Sequence, residues 1–426
     1  MANNKQQNYT PAIVVMFALF FMIAFVTNFA GSMGVIVKNQ FLGNSASAKA
    51  LSQLGSLANF IAYACMGIPA GIILKRKGYK FTSLAAVIVG FVGVGIQWIA
   101  GPAQSFLVYI IGAFVAGFSM CLLNIVVNPM LNTLGGGGNR GNQLIQLGGS
   151  CNSIGGTIAP ILLGYLIGGS ADTASVKDAA PAMVIAMAIF ALAALIIALT
   201  NIPEPHMETA EEKAARKAGN VQKDPYGPLS FRHFVLGAIA IFFYVGIEVG
   251  VPNTANVYFS GLDWVGPALT GTMIGAYWFC MLLGRLGGSA IGGKVSSKSM
   301  LSFTSILAIA FILCVIFIPE TCQLAVFGKV IPLPLIFVMA CGLCTSVMWG
   351  AIFNLAAEGL GKYTATASGI FMTLVCGGGI IPFLQNLLAD KVGSINSYWL
   401  LIACLCYLLF YAVVGCKNVN KDIPVE

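Results

Sequence analysis

The sequence predicts an all-α membrane protein: twelve transmembrane helices in two six-helix bundles related by a pseudo-twofold axis. Three observations lead there. The 426 residues are 58% apolar and 8% charged, with a mean hydropathy of +0.88, whereas soluble domains carry roughly 25% charged residues. The charges are also gathered: Glu204, Glu208, Glu211, Glu212, Lys213, Arg216, Lys217, Lys223 and Asp224 crowd one stretch and leave long runs almost uncharged. Those runs suit helices of ~20 apolar residues and do not alternate in segments of about 10, as the strands of an outer-membrane barrel would.

Between charged or Gly/Pro breaks, twelve apolar runs begin near residues 11, 51, 81, 105, 142, 181, 231, 267, 299, 332, 364 and 397. The first continues through Asn28 to Val37 with no small-residue cleavage site, so it is read as a helix and not as a signal peptide. Of the 22 Lys and Arg residues, the termini and even-numbered loops hold 16 and the odd-numbered loops 5, with Arg285 inside the eighth run. Positive residues stay in the cytoplasm, which places both termini there. Trp98, Trp264 and Trp399 then all fall at outer helix ends, where interfacial aromatics gather. The polar stretch 202–230 reads as a cytoplasmic linker between an N-terminal bundle, 1–201, and a C-terminal bundle, 231–426.

The two bundles match at an almost fixed offset, as a duplicated transporter fold would. Gly117 pairs with Gly342, Asn128 with Asn354, Leu134-Gly135 with Leu360-Gly361, and Pro160 with Pro382, all 222 to 226 residues apart.

Composition also excludes function classes. Eleven of the twelve cysteines lie in apolar spans or at their ends, and Cys322 alone is in an outer loop. Cys341 and Cys344 form a C-x-x-C with no histidine nearby, so they read as small buried hydrophobes; no metal and no disulfide framework is assigned. His206 and His233 are the only histidines and no acid cluster exists, so a catalytic centre lacks parts and neither enzyme activity nor a cofactor is expected. The net charge of +8 follows from the loop asymmetry, and without a basic stripe it does not point to nucleic acid.

Among fourteen acids, Glu248 alone is placed mid-span, in the seventh run. An ionisable side chain in the membrane is functional by default, and low dielectric disfavours its charge, which makes a neutral, protonated form available. Residues three or four apart share a helical face, so Asn124, Asn128 and Asn132 line one face of the fourth run. Gln143, Gln146, Ser150, Ser153 and Thr157 line a face of the fifth, with Asn152 adjacent, and Tyr244, Glu248 and Asn256 align on the seventh. Neutral amides and hydroxyls donate and accept together, which suits a polyol; an organic anion would call for arginines. No deep arginine is expected, since Arg285 reads as a gate or interface residue near the cytoplasmic end of its helix. Trp278, Trp349 and Tyr277 are aromatics away from the outer belt, and flat aromatic faces suit sugar C–H surfaces.

Between the second and third runs the chain reads Gly71-Ile-Ile-Leu-Lys75-Arg76-Lys77-Gly78-Tyr79-Lys80. This basic turn is a gating and topology element carried by Gly71, Arg76 and Gly78. It resembles the helix 2–3 loop of the major facilitator superfamily, with Lys75 where an acid is usual. A closer resemblance, to the fucose and glucose/galactose symporter family, is carried by Asn128-Pro129 with Leu134-Gly135, Asn152-Ser153-x-Gly155 with Pro160, Tyr244-Val245-Gly246-x-Glu248, Gly284-Arg285, Ile352-Phe353, and Gly377-Gly378-Gly379 with Pro382. Fucose-type members carry carboxylates in helices 1 and 4, where this chain has Gly31 or Ser32, and Asn124. Hexose-type members carry an amide in helix 4 and a glutamate in helix 7, which Asn124 and Glu248 match. In helix 5, Gln146 and Gly149 stand where the family usually has Asn and Gln, and the smaller side chain widens the site.

The resemblance implies secondary import of a hexose or related neutral saccharide by proton symport, through alternating access. Glu248 would be the proton site, and Asn28, Asn124, Asn128, Gln146, Asn152, Tyr244, Asn256, Trp278, Trp349 and Asn354 would bind substrate. The coupling ion is H+, with Na+ as the alternative because Glu248 with Asn253 or Asn256 also supplies oxygen ligands. Export of another neutral solute on the same fold is the second alternative. The expected partners are the sugar and membrane lipids, the expected state is a monomer, and compact loops with the family resemblance point to a bacterial inner membrane.

Overall fold

The computed structural model describes residues 9–43, 48–134, 138–167, 174–204, 213, 226–291, 295–326, 328–360, 363–420 and 422–425. Among these, eleven helices are long and apolar enough to cross a bilayer. One of them, Leu54–Ala100, has 47 residues; at 1.5 Å per residue it would reach about 70 Å, more than twice the ~30 Å hydrocarbon core. It is two spans, because Gly78 (φ 83°, ψ 178°) leaves helical geometry and turns the chain back.

The twelve spans are α1 (Thr10–Ser32), α2 (54–77), α3 (79–100), α4 (Phe106–Leu134), α5 (Gly138–Ile167) and α6 (Val176–Leu199), followed by α7 (Arg232–Phe259), α8 (Gly266–Ile291) and α9 (Ser297–Phe317). Then come α10 (Leu333–Thr345, resumed at Met348–Ala357), α11 (Thr364–Leu374, resumed at Gly377–Val392) and α12 (Trp399–Phe410). Their starts fall close to those expected from hydropathy. A hairpin of β1 (Gln323–Val326) and β2 (Lys329–Pro332) joins α9 to α10. An even number of spans puts both chain ends on one face, the terminal face, with the hairpin on the opposite, distal face. Trp98, Trp264 and Trp399 are all exposed on the distal side.

The turn at Gly78 is completed by the chain leaving α6. The Glu204 carboxylate accepts from the Tyr79 and Lys80 amides, the latter at 2.9 Å, and Lys80 Nζ donates to the carbonyls of Ala198 (2.8 Å) and Thr200 (3.0 Å). The first amides of a helix have no partner within it, and an anion there also meets the positive end of the helix dipole. Lys75, Arg76 and Lys77 remain exposed on the terminal face.

Lipid tails are as apolar as leucine, so helices gain little from burying side chains against each other and associate through close backbone approach at small residues. Four glycines show this. The space a Cβ would need at Gly117 of α4 is taken by the Asn59 carbonyl of α2, and at Gly342 of α10 by the Tyr277 carbonyl of α8. Gly155 of α5 presses on the Phe21 carbonyl of α1, and Gly377 of α11 on the Phe242 carbonyl of α7. The packing of α4 on α2 thus recurs as α10 on α8, and that of α5 on α1 as α11 on α7. The resumed helices α10 and α11 are interrupted near mid-depth, at Ser346-Val347 and Val375-Cys376.

Substituting Gly78→Ala forces a side chain into a backbone conformation that costs about 1–3 kcal/mol and drives its Cβ into the Glu204 carboxylate. The expected outcome is a lower melting temperature in detergent than for Gly71→Ala, whose added methyl meets nothing within 4 Å. Equal melting of the two variants would refute the strained turn.

Candidate functional site

Near mid-depth, Glu248 of α7 and Arg285 of α8 form an ion pair of 3.7 Å, with side chains 12% and 13% exposed. Arg285 also crosses to the first six helices. Its Nη1 donates to the Gly149 carbonyl (2.6 Å) and Ser153 Oγ (3.0 Å), and lies 3.5 Å from Asn152 Oδ1, all on α5. A Cβ at Gly149 would sit 3.6 Å from Nη1, in ordinary van der Waals contact with the guanidinium. Asn152 in turn donates from Nδ2 to the Phe20 carbonyl of α1 at 3.0 Å. One carboxylate on α7 is thereby linked through α8 and α5 to α1.

Arg285 is six residues from the terminal end of α8 and joins the two bundles, in keeping with the gate or interface reading, but its side chain reaches further inward than expected. Arg285 is drawn inward because Glu248 supplies its counter-charge and α5 supplies neutral acceptors. With its donors so occupied, it is not a free receptor for an anionic substrate.

An aromatic wall stands beside the pair. Tyr277 donates from its hydroxyl to the Glu248 carbonyl (3.0 Å) and lies 3.1 Å from Thr345 Oγ1, while the Tyr244 hydroxyl donates to the Thr345 carbonyl (3.1 Å). Thr345 is the last residue of α10 before its interruption. Trp349, just beyond it, meets Tyr244 and Phe371 edge-on, with centroids 6.2 and 6.1 Å away. Trp278 packs edge-on against Tyr277 (5.3 Å), and its buried Nε1 has no hydrogen-bond partner. A Cβ at Gly156 of α5 would sit 2.9 Å from the Trp278 ring and 3.1 Å from Asn28 Nδ2, so α1, α5 and α8 converge at this glycine. Asn28 donates from Nδ2 to the Ala24 carbonyl (2.9 Å).

The structure therefore gathers Glu248, Arg285, Asn152, Tyr244, Trp278, Trp349 and Asn28. Asn124 and Asn128 lie half-buried along α4: Asn124 Nδ2 donates to the Tyr63 hydroxyl (2.9 Å) and Asn128 Nδ2 to the Asn124 carbonyl (3.0 Å). The Gln146 side chain lies outside the described residues. Two expected binding residues stand apart. Asn256 is eight residues beyond Glu248, about 12 Å along the helix, and its Nδ2 faces the Ser32 carbonyl at 3.4 Å near the distal end. Asn354 is exposed at the terminal face, in a separate cavity of about 390 Å³ with Ser296, Lys298 and Glu358. Helical periodicity specifies which side of a helix a residue occupies but not how deep it lies. Thr345 and Tyr63 were missed; a lone threonine or tyrosine in an apolar run carries little signal before its partner helix is known. Among the described residues, no three His, Cys, Asp or Glu side chains come together as a metal site would require.

Toward the terminal face, α2 and α11 separate. Between α2 and α11 the last close approach is Gly67 against Thr373, where a Cβ would sit 3.0 Å from the Thr373 amide. One turn further on the same faces, Gly71 and Gly369 have nothing within 4 Å of an added Cβ, so the two helices have parted.

The family model of the Major Facilitator Superfamily matches residues 15–383. The glucose/galactose transporter of Brucella abortus is 32% identical over 425 residues, covering 97% of this chain and 96% of the relative. The L-fucose-proton symporter of Escherichia coli is 23% identical, covering 96% and 94% of the two chains. The inward-open, partially occluded structure of the E. coli xylose transporter superposes with a TM-score of 0.73 at 12% identity, over 96% of this chain and 98% of that one.

Removing one partner of a largely buried ion pair costs about 3 kcal/mol, because the other charge is left uncompensated. Arg285→Ala is expected to lower unfolding stability by about that amount, and adding Glu248→Gln should restore at least ~1 kcal/mol. Strict additivity in a denaturant double-mutant cycle would show that the pair is not coupled.

Proposed function

The chain belongs to the Major Facilitator Superfamily, and we propose that it imports a neutral sugar, a hexose or close relative, together with a proton. It is a multi-pass integral membrane transporter and not an enzyme. The observation that carries the sugar reading is a single compensated ion pair set among neutral amides and aromatic faces. The unpartnered Trp278 Nε1 offers a donor, and the half-buried amides of Asn124 and Asn128 keep oxygens for hydroxyl donors; such groups fit a polyol and leave no net charge to attract an ion. The relatives named as glucose/galactose transporter and fucose-proton symporter support the same cargo class.

Proton coupling follows from Glu248 and Arg285. Charged, Glu248 holds the guanidinium on the side of α7 and α8; protonated, it releases that attraction and leaves Arg285 to the Gly149 carbonyl and Ser153 of α5. The protonation state is thereby converted into a force between the two bundles, 1–201 and 231–426, which rock about the site. Sodium fits less well, because the guanidinium already stands where a second cation would have to bind. The basic terminal face is assigned to the cytoplasm by the loop charges, so the described state opens inward and the distal face looks outward from a bacterial inner membrane.

Glu248→Gln mimics the protonated form permanently. In proteoliposomes it should keep exchange of labelled sugar across the membrane while losing accumulation driven by an inward proton gradient; accumulation at the parent level would remove Glu248 as the proton site. Trp278→Phe keeps the aromatic face and deletes the free donor, and should weaken sugar affinity by about 1–2 kcal/mol, read by isothermal titration. Unchanged affinity would place the sugar away from α8.

A further inference from the structure

We infer that the distal gate of this transporter is a seam of neutral amides latched by one carboxylate, Asp390. The inference rests on the alternating-access reading above and adds the chemistry of the closed side.

Two cross-bundle contacts close the distal half, and they differ in kind. Where α5 meets α8, backbone meets backbone: Gly164 packs on the Pro267 carbonyl and on Gly271, whose own Cβ position lies 2.5 Å from the Pro160 carbonyl and 3.0 Å from Gly164 Cα. The closest approaches in that contact are between backbone atoms, which leave no side chain to rearrange. It is suited to be a fulcrum.

The second contact brings α2 and the end of α1 against α7 and α11, and it is polar yet dry. Gln53 and Ser56 are 1% and 2% exposed, Asn253 and Asn256 6% and 5%. The amide hydrogen bonds across it are long: Asn253 Nδ2 to Gln53 Oε1 at 3.3 Å and Asn256 Nδ2 to the Ser32 carbonyl at 3.4 Å. Gln53 Nε2 and Ser56 Oγ have no partner, and just behind the seam, where α11 packs on α7, neither do Gln385 Oε1 and Nε2. Groups buried without their hydrogen bonds are worse off than in water, so opening restores solvation that closure removed. The short bond is the one from the Ala50 amide to Asp390 Oδ2 of α11, at 2.9 Å, and a charged acceptor makes the stronger bond. A gate built this way gains little from its amides on closing, and the Asp390 carboxylate is the group that holds it shut.

The test reads accessibility and needs neither sugar nor a proton gradient. In a Cys322→Ser background, which removes an exposed distal thiol, Ser56→Cys places a thiol inside the closed seam, and a membrane-impermeant maleimide is added from the distal side of oriented proteoliposomes. Labelling is corrected for the same protein without Ser56→Cys. Asp390→Asn should raise the labelling rate at least fivefold, whereas Asp390→Glu, which keeps the carboxylate, should stay within twofold of the parent. Replacing both amides, Gln53→Leu with Asn253→Leu, should lower the rate at least threefold with Asp390 intact. An unchanged rate in Asp390→Asn, or faster labelling in the double leucine variant, would overturn the inference. If those results came with normal proton-driven sugar accumulation, the gate assignment alone would fall and the proposed function would stand.

Discussion

A carboxylate at the middle of a membrane cannot keep its charge without a partner close by, and most of the functional architecture follows from how this protein meets that demand. Glu248 is answered by Arg285 one helix later. The guanidinium has more donors than one carboxylate can use, and the surplus goes to α5 in the other bundle, at the Gly149 carbonyl and the Ser153 hydroxyl. A local electrostatic requirement thus becomes a mechanical connection between two bodies. The aromatic wall is tied to the same turn of α7, because Tyr277 is fixed by the backbone carbonyl of Glu248 and by Thr345, and Tyr244 is fixed by Thr345 in turn.

The spans were legible in the sequence because apolar length is a direct requirement of the bilayer, and the repeat was legible for a related reason. Gly117 and Gly342 recur because each presses on a carbonyl of the corresponding neighbour, a position where any side chain would collide. Glu248 stood out because a lone acid in an apolar run has no bland explanation of equal strength. The depth of Arg285 was not legible, since its partners on α5 lie more than 130 residues away and its place in the chain suggests only the end of a helix. Asn256 and Asn354 were misplaced for the converse reason: they share a face or a repeat position with central residues but sit turns away from them. The interruptions of α10 and α11 also escaped, because neither contains a proline at the break and the apolar runs continue through them.

The α5–α8 contact and the α2–α7–α11 contact show how one interface serves two purposes. Where permanence is wanted, glycines bring backbones together directly. Where reversibility is wanted, polar side chains are pressed together imperfectly. Both solutions use residues that a hydropathy profile scores as minor interruptions, which is why the distinction emerges only when the helices are placed side by side.

The corner at Gly78 bears on how the protein is made. With a single residue between α2 and α3, and four basic side chains from Lys75 to Lys80 beside it, neither span has a loop that would let it enter the bilayer before the other. The two form one helical hairpin, and its basic tip is fastened by Glu204, which is synthesised only after α6. The first bundle is therefore sealed late in biosynthesis, by a residue outside its own helices.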